Sequence, residues 1–352
     1  MSVMPPHTGG IFVHEGSHCG TFLEGIESKG MKKVVVMGGG TGTYTVLTGL
    51  KKYSLELTAI VAMSDNGGSS GILRDEFGVL PPGDLRQCLV ALSEAPLVMR
   101  KLFNHRYDRS DLKGHTFGNL FISTLESITG NIDRALEVAG EILKIRGRVV
   151  PVTLSKVHIV TQLHNGKVLR GEDELSRYQL VSRYGIKRMR LAPKAKANPH
   201  ALHAIKDADV IVIGPGNLYA SLVPNFLVPG IASAFAQSKA KKIFVTNLMS
   251  KNGHTDDFLV CDYVHVVEEA IGKRGVFDVV IYNTKQPPSA LLNKYADEGE
   301  PVACGEVEKK EKRFIGVDVL ANGVAKTPKK DLLRRTLIRH DPEKLAKAIM
   351  QA

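Results

Sequence analysis

The sequence predicts an α/β protein: a doubly wound, mostly parallel sheet with helices on both faces and a small antiparallel β insertion. Three observations predict it. Short runs such as KKVVVMG and DADVIVIG are apolar at successive positions, as strands covered on both faces must be. These runs alternate with helical segments, the pattern of parallel βαβ units. One stretch, Arg148 to Ala192, breaks the pattern with alternating residues around Asn165-Gly166, a strong two-residue hairpin signal.

The elements follow in order. KKVVVMG is the first strand, TVLTGLKKY a short helix and ELTAIVAM the second strand, which runs into the glycine-rich loop SDNGGSSG. Four helical segments follow: DLRQCLVALSEA, PLVMRKLFNH, TFGNLFISTLESIT and NIDRALEVAGEILKI, the last capped by Asn131. After the insertion come the strand DADVIVIG, the segment PGNLYASLVP, the helix VPGIASAFAQS and the strand KKIFVTN. The helix TDDFLVCDYVHVVEEAIG and the strand FDVVIYN complete the pattern, with FIGVDVLA and a helix near Pro342 to Met350 beyond it. Residues 1–30 read as a flexible extension, 31–325 as the α/β domain with its insertion at about 148–192, and 326–352 as a basic segment ending in a helix.

Composition narrows the function. Hydrophobic residues make up 43% and charged residues 24%, ordinary for a soluble globular protein, and no apolar run approaches the ~18 residues of a membrane span. The net charge of +11 concentrates in Ser182 to Ala197 and in Lys309 to Lys347. A basic surface suits anionic small molecules as well as nucleic acid. Tryptophan is absent and no motif interleaves aromatics with basic residues, so no sequence-specific nucleic-acid partner is expected. The four cysteines, Cys19, Cys88, Cys261 and Cys304, match neither zinc nor disulfide spacing, and Cys88 and Cys261 are expected to be buried thiols. With no secretion-signal pattern, the expected location is the cytoplasm.

In a doubly wound sheet, ligands sit past the carboxyl ends of the strands. That rule selects the loops after Met37, Met63, Ile213 and Thr246, and each is polar or glycine-rich. Gly38, Gly39, Gly40, Thr41 and Gly42 let the backbone approach a phosphate at a helix N-terminus. The dinucleotide fingerprint fails because Thr43 stands where its third glycine belongs, and no lysine completes a triphosphate loop.

The second loop offers Asp65, Asn66, Gly67, Gly68, Ser69 and Ser70, with Arg74 behind as a phosphate partner. Asp65 suits a ribose, a sugar hydroxyl or a metal; an Asx turn is the structural reading. Pro81-Pro82-Gly83 forces a turn, Asp84 reads as the N-cap of the next helix, and Arg86 sits against the helix dipole, where it calls for Asp84, Asp65 or a ligand phosphate. His115 and Asn119 share a face if their helix has begun, so His115 and Asp65 are the candidates for acid–base work. Gly214, Pro215, Gly216 and Asn217 form another anion-receptive turn, with Tyr219 and Ser221 adding hydroxyls. Asn247 ends the strand before the turn Asn252-Gly253-His254.

Together GGGTG, DNGGSSGILR, LPPGDLRQCLVAL, GHTFGNL and GPGNLYASLVPN resemble the gluconeogenesis factor (YvcK) family of the CofD-like superfamily, in register from about Met31 to Asn283. The resemblance implies a CofD-like variant of the Rossmann fold. It also implies a cytoplasmic regulatory protein that binds a nucleotide sugar of the UDP-N-acetylglucosamine kind and serves cell shape and wall-precursor supply on gluconeogenic carbon. No cofactor is required in that reading, and a homo-oligomer is compatible with it. Gly39, Gly40, Thr41 and Gly42 would hold the diphosphate with Gly216 and Asn217, and Asp65 a hydroxyl.

The superfamily's catalytic branch implies the alternative: a magnesium-dependent 2-phospho-L-lactate transferase acting on a deazaflavin alcohol, with Asp65 on the metal. Two positions depart from the family. Asn66 stands where a second acid is usual, which removes a carboxylate from any magnesium site. Lys251-Asn252-Gly253-His254-Thr255-Asp256 stands where Q-P-G-E-T-D is usual. A nicotinamide dehydrogenase is a distant third reading, opposed by Thr43 and the second glycine loop.

Overall fold

The computed structural model describes residues 30–306, 308–322 and 338–352. The expected N-terminal extension and most of the basic stretch before the last helix lie outside these residues. The main sheet has seven strands: β1 (Lys32–Gly38), β2 (Leu55–Val61), β3 (Arg148–Pro151), β7 (Val210–Ile213), β8 (Lys241–Val245), β9 (Val279–Asn283) and β10 (Phe314–Val317). Their spatial order is β10-β9-β8-β7-β1-β2-β3, and every neighbouring pair is parallel. The chain winds outward from β1 in one direction as far as β3, then returns to β7 on the other side of β1. The order therefore reverses between β1 and β7, and a ligand crevice opens at the carboxyl ends there.

The period-2 alternation of each strand supplies two cores. Val34 and Val36 of β1 face one side with Ala59 and Val61 of β2, while Val35 and Met37 face the other with Ile60. The first side is covered by α1 (Gly40–Leu50), α3 (Pro82–Leu92), α6 (Ile132–Leu143) and α14 (Pro342–Gln351). The second is covered by α9 (Pro199–Asp207), α11 (Ile231–Gln237), α12 (Val260–Ile271) and the small sheet. The C-terminal helix packs so closely on α1 that a Cβ at Gly49 would stand 2.0 Å from the Pro342 carbonyl. It is thus part of the support for the helix that follows β1.

Several expectations need correction. The insertion begins later than Arg148, because Arg148–Pro151 pairs with β2 as the edge of the main sheet. The antiparallel sheet is β4 (His158–Leu163), β5 (Val168–Arg170) and β6 (Ile186–Ala192), with β4 central and the Asn165-Gly166 turn joining β4 to β5. The glycine-rich loop after β2 is short: Gly67 caps α2 (Gly68–Phe77), so Gly68, Ser69 and Ser70 are already helical. Cys88 is buried as expected, whereas Cys261 is only half-buried. Among the described residues no single helix is long and apolar enough to cross a membrane.

Candidate functional site

The loops after β1 and β7 meet at the switch point. Gly39 is the N-cap of α1, and the helix's own first turn holds no acidic residue. Gly40 has φ +66°, a left-handed conformation that favours glycine. A Cβ at Gly42 would lie 1.8 Å from the Pro215 carbonyl, so this glycine lets the two loops touch. Thr43, counted among the ligand-binding candidates, is fully buried and donates to the Gly39 carbonyl at 3.3 Å. It braces the turn from behind.

On the β7 side, Asn247 holds the Gly216 peptide from both ends. Its Oδ1 accepts from the Gly216 N–H at 3.2 Å and its Nδ2 donates to the Gly216 carbonyl at 2.9 Å. Asn217 caps the following turn of π-helix, Leu218–Leu222, by accepting from the Ala220 N–H at 3.3 Å. Wide turns of this kind recur at functional sites. Tyr219 lies within it, and burial pushes its phenol up.

These loops wall a cavity of about 960 Å³, large enough for a nucleotide-sized ligand. Gly39, Gly40, Thr41, Gly42, Arg86, Pro215, Gly216, Asn217, Tyr219 and Asn247 line it. The far wall comes from the turn after β8, from Tyr295, and from Ile338, Arg339 and His340 ahead of α14. Ser176, Arg177 and Gln179 beside α7 (Gly171–Arg177) add a fourth side. A second depression, about 690 Å³, opens at the opposite end of the sheet near Lys33, Glu56 and Arg148. None of the candidate loops reaches it.

The loop after β2 sits beside the cavity and is largely spent on internal bonds. Asp65 Oδ1 accepts from the Gly67 N–H at 2.8 Å, the Asx turn. Ser70 Oγ accepts from the Gly83 N–H at 3.1 Å. Arg74, expected on a phosphate, is buried and donates to the Asp65 and Val157 carbonyls and to His158. It ties α2 to the small sheet. A buried polar chain runs from Arg86 to Asn119 Oδ1 at 2.9 Å, from Asn119 Nδ2 to Ser69 Oγ at 3.0 Å, and from Ser69 Oγ to His115 Nδ1 at 3.1 Å. His115 precedes α5 (Phe117–Thr129), so it meets Asn119 through Ser69 and not across a helix face. Only Arg86 of this chain lines the cavity.

Asp84 is the largest departure. Pro81 takes the N-cap and Pro82 the first helical position of α3, so Asp84 stands inside the first turn. Its carboxylate reaches the glycine loop: a Cβ at Gly39 would meet Asp84 Oδ2 at 2.5 Å, and the Gly40 N–H donates to it. Burial first, and the Asp65 charge second, push Asp84 up to about 7.

A third carboxyl joins them that the sequence reading missed. Glu172 opens α7, and burial together with Asp65 and Asp84 pushes it well above the usual range. Its carboxyl is hydrogen-bonded to Asp65. Asn66 arranges this meeting: its Oδ1 accepts from the Asp173 N–H at 3.0 Å, and its side chain lies against Gly171. The acids of GEDEL at the head of a helix were the available signal, yet nothing local tied them to the glycine loops.

The turn after β8 is rigid. Lys251 N–H donates to Thr255 Oγ1 at 2.9 Å, and Tyr263 OH donates to the same oxygen at 3.0 Å. Lys251 Nζ reaches the Ser176 carbonyl at 3.2 Å. His254 is buried under α7, where burial and the Lys251 charge hold it down at about 4, so it is neutral.

Comparison with known proteins agrees with this architecture. The family model described as 2-phospho-L-lactate transferase CofD matches residues 34–324. The gluconeogenesis factor of Halalkalibacterium halodurans is 38% identical over 323 residues, covering 91% of this chain and 96% of that protein. The gluconeogenesis factor of Listeria innocua is 38% identical over 320 residues, covering 90% and 94%. A crystal structure of a Bacillus halodurans protein superposes with a TM-score of 0.82 at 37% identity, covering 91% of this chain and 99% of that one.

Proposed function

The chain belongs to the CofD family and, within it, to the gluconeogenesis factors, and from that premise we propose that its cavity binds a nucleotide sugar of the UDP-N-acetylglucosamine kind. The observation that carries the reading is the joined pair of loops at the switch point. The N-terminus of α1 and the turn from Pro215 to Asn217, fixed by Asn247 on the Gly216 peptide, line one cavity, an arrangement that suits a diphosphate. Asp84 and Asp65 stand beside the glycine loop and are not among the residues that line the cavity. The protein would act as a cytoplasmic regulator that couples the level of a wall precursor to cell shape on gluconeogenic carbon.

The transferase reading draws on the family model. Its magnesium does not fit the residues present. Asp65, Asp84 and Glu172 gather beside the glycine loop, but among the described residues no three His, Cys, Asp or Glu side chains take up the arrangement of a metal site. Asn66 is turned to Asp173, and burial together with Asp65 and Asp84 pushes the Glu172 carboxyl well above the usual range, which opposes the deprotonation a ligand needs.

Thermal unfolding with and without UDP-N-acetylglucosamine tests the proposal. At ~100 times the dissociation constant a ligand stabilises the native state by about 2.7 kcal/mol, a shift of several degrees. No shift with any uridine nucleotide would sink it.

A further inference from the structure

The helices outside α3 are apolar on the side turned away from it. α4 (Leu97–Asn104) and α5 both lie on α3 and pack against each other. Phe103 of α4 meets Phe117 and Phe121 of α5 edge-on, with ring centroids 5.8 and 5.1 Å apart. The inner face of α5 is Gly118, Asn119, Ile122 and Ser123, all buried. Its other face runs Phe117, Leu120, Phe121, Thr124, Leu125 and Ile128, the spacing of one helical stripe, and none of these residues is charged. Glu126, the one charged residue of α5, is turned back to accept from the Leu80 N–H at 3.2 Å.

An apolar stripe is the face a helix turns toward a core, yet this one reaches solvent. Ile128 is 76% exposed, and on α4 Leu97, Val98 and Leu102 are 57%, 69% and 39% exposed. With the half-buried members of the stripe, these fractions leave on the order of 500 Å² of apolar surface, near the upper end for a single patch on a monomer. A standard interface buries about 800 Å² on each partner, somewhat over half of it apolar. This one face therefore carries the apolar area that a stable dimer needs.

We propose that it binds a second copy of this chain, with α4 and α5 of one protomer packed on α4 and α5 of the other about a two-fold axis. A two-fold interface must complement itself, and an uncharged apolar stripe does so, whereas a charged one would meet its own sign. The inference does not depend on what the cavity binds.

Sedimentation of the full chain tests it over ~1–100 μM protein, the range in which an interface of this size associates after paying its entropic costs. Wild-type protein is expected to sediment with twice the mass of one chain. The dimer should persist from ~0.1 to ~0.5 M sodium chloride, because salt does not screen an apolar contact. Ile128→Lys on α5 and Leu97→Glu on α4 each place a charge on the face at an exposed position that suits its helix end. Each should weaken the dimer at least ~10-fold while leaving far-UV circular dichroism unchanged. Met31→Lys, an equally exposed apolar position off these helices, should leave the mass as in wild type. A wild-type chain that stays monomeric throughout overturns the proposal and leaves the face to a membrane or a different protein. Dimers of wild-type strength in both Ile128→Lys and Leu97→Glu overturn it too, because they would use another surface.

Discussion

Asn247 and Gly216, 31 residues apart, are joined by two hydrogen bonds that grip one peptide unit by its N–H and its carbonyl. The grip orients the loop after β7 against the loop after β1. Asn247→Asp keeps the acceptor, loses the donor and adds a negative charge beside the anion site. It should weaken UDP-N-acetylglucosamine binding at least ~10-fold, with about 1–2 kcal/mol lost from stability. Titration calorimetry and urea unfolding measure the two separately. Wild-type affinity in this variant would show that the clamp does not hold the peptide for a ligand.

Gly42 and Gly67 both lie in glycine-rich loops but do different work. The Gly42 Cβ has no room beside the Pro215 carbonyl, whereas a Cβ at Gly67 comes no nearer than 3.5 Å to Asp65 Oδ1. Gly42→Ala should cost at least about 2 kcal/mol by forcing the loops apart. Gly67→Ala should stay within about 1 kcal/mol. Urea midpoints of the two variants decide it, and equal losses would refute the packing role of Gly42.

Asp84 predicts a stability term that weakens toward alkaline pH. Its carboxyl is pushed up to about 7 in the folded chain, against about 3.9 when unfolded. The folded state therefore binds the proton more tightly. The contribution is full below the unfolded value and is lost as pH rises through about 7. Asp84→Asn has no proton to lose, so its stability relative to wild type should rise by ~1–3 kcal/mol between pH 5 and pH 8. A difference independent of pH would mean that Asp84 is ionised like a surface carboxylate.

His340 predicts the opposite slope at acid pH. Burial holds it down at about 4, although the Thr246 backbone favours the charged form. Unfolded, it titrates near 6.5, so its contribution is present above that value and lost as pH falls through about 4. His340→Gln should remove up to ~3 kcal/mol of the wild-type stability loss over this window. Denaturation curves at pH 7, 5.5 and 4.5 test it, and an unchanged acid limb would assign the loss to His254 or to other groups.

Much of the fold was legible because its signals are local. Val34 to Met37 read as a strand covered on both faces, and each side chain alternates into one core or the other. Gly39 to Gly42 and Gly214 to Asn217 read as phosphate-friendly turns, and Gly39 to Gly42 and Pro215 to Asn217 line the cavity. The places of Asp84, Asn66 and Arg74 were not legible, because their partners lie elsewhere in the chain. Asn66 meets Asp173 across 107 residues and Arg74 meets His158 across 84. Lys251 and His254 stood out only as departures from a motif; their place opposite the glycine loop follows from the strand order.

The sequence by itself determined the strands, the helices and the turns able to face an anion, since side-chain period and backbone preference act over a few residues. Only the tertiary structure decided which of those polar residues face the cavity, which are used up as braces, and which carboxyls are pushed above their usual range. Desolvation and charge coupling depend on distances through space. Asp84, Asp65 and Glu172, remote in sequence, acquire their joint behaviour only when β2, α3 and α7 bring them together.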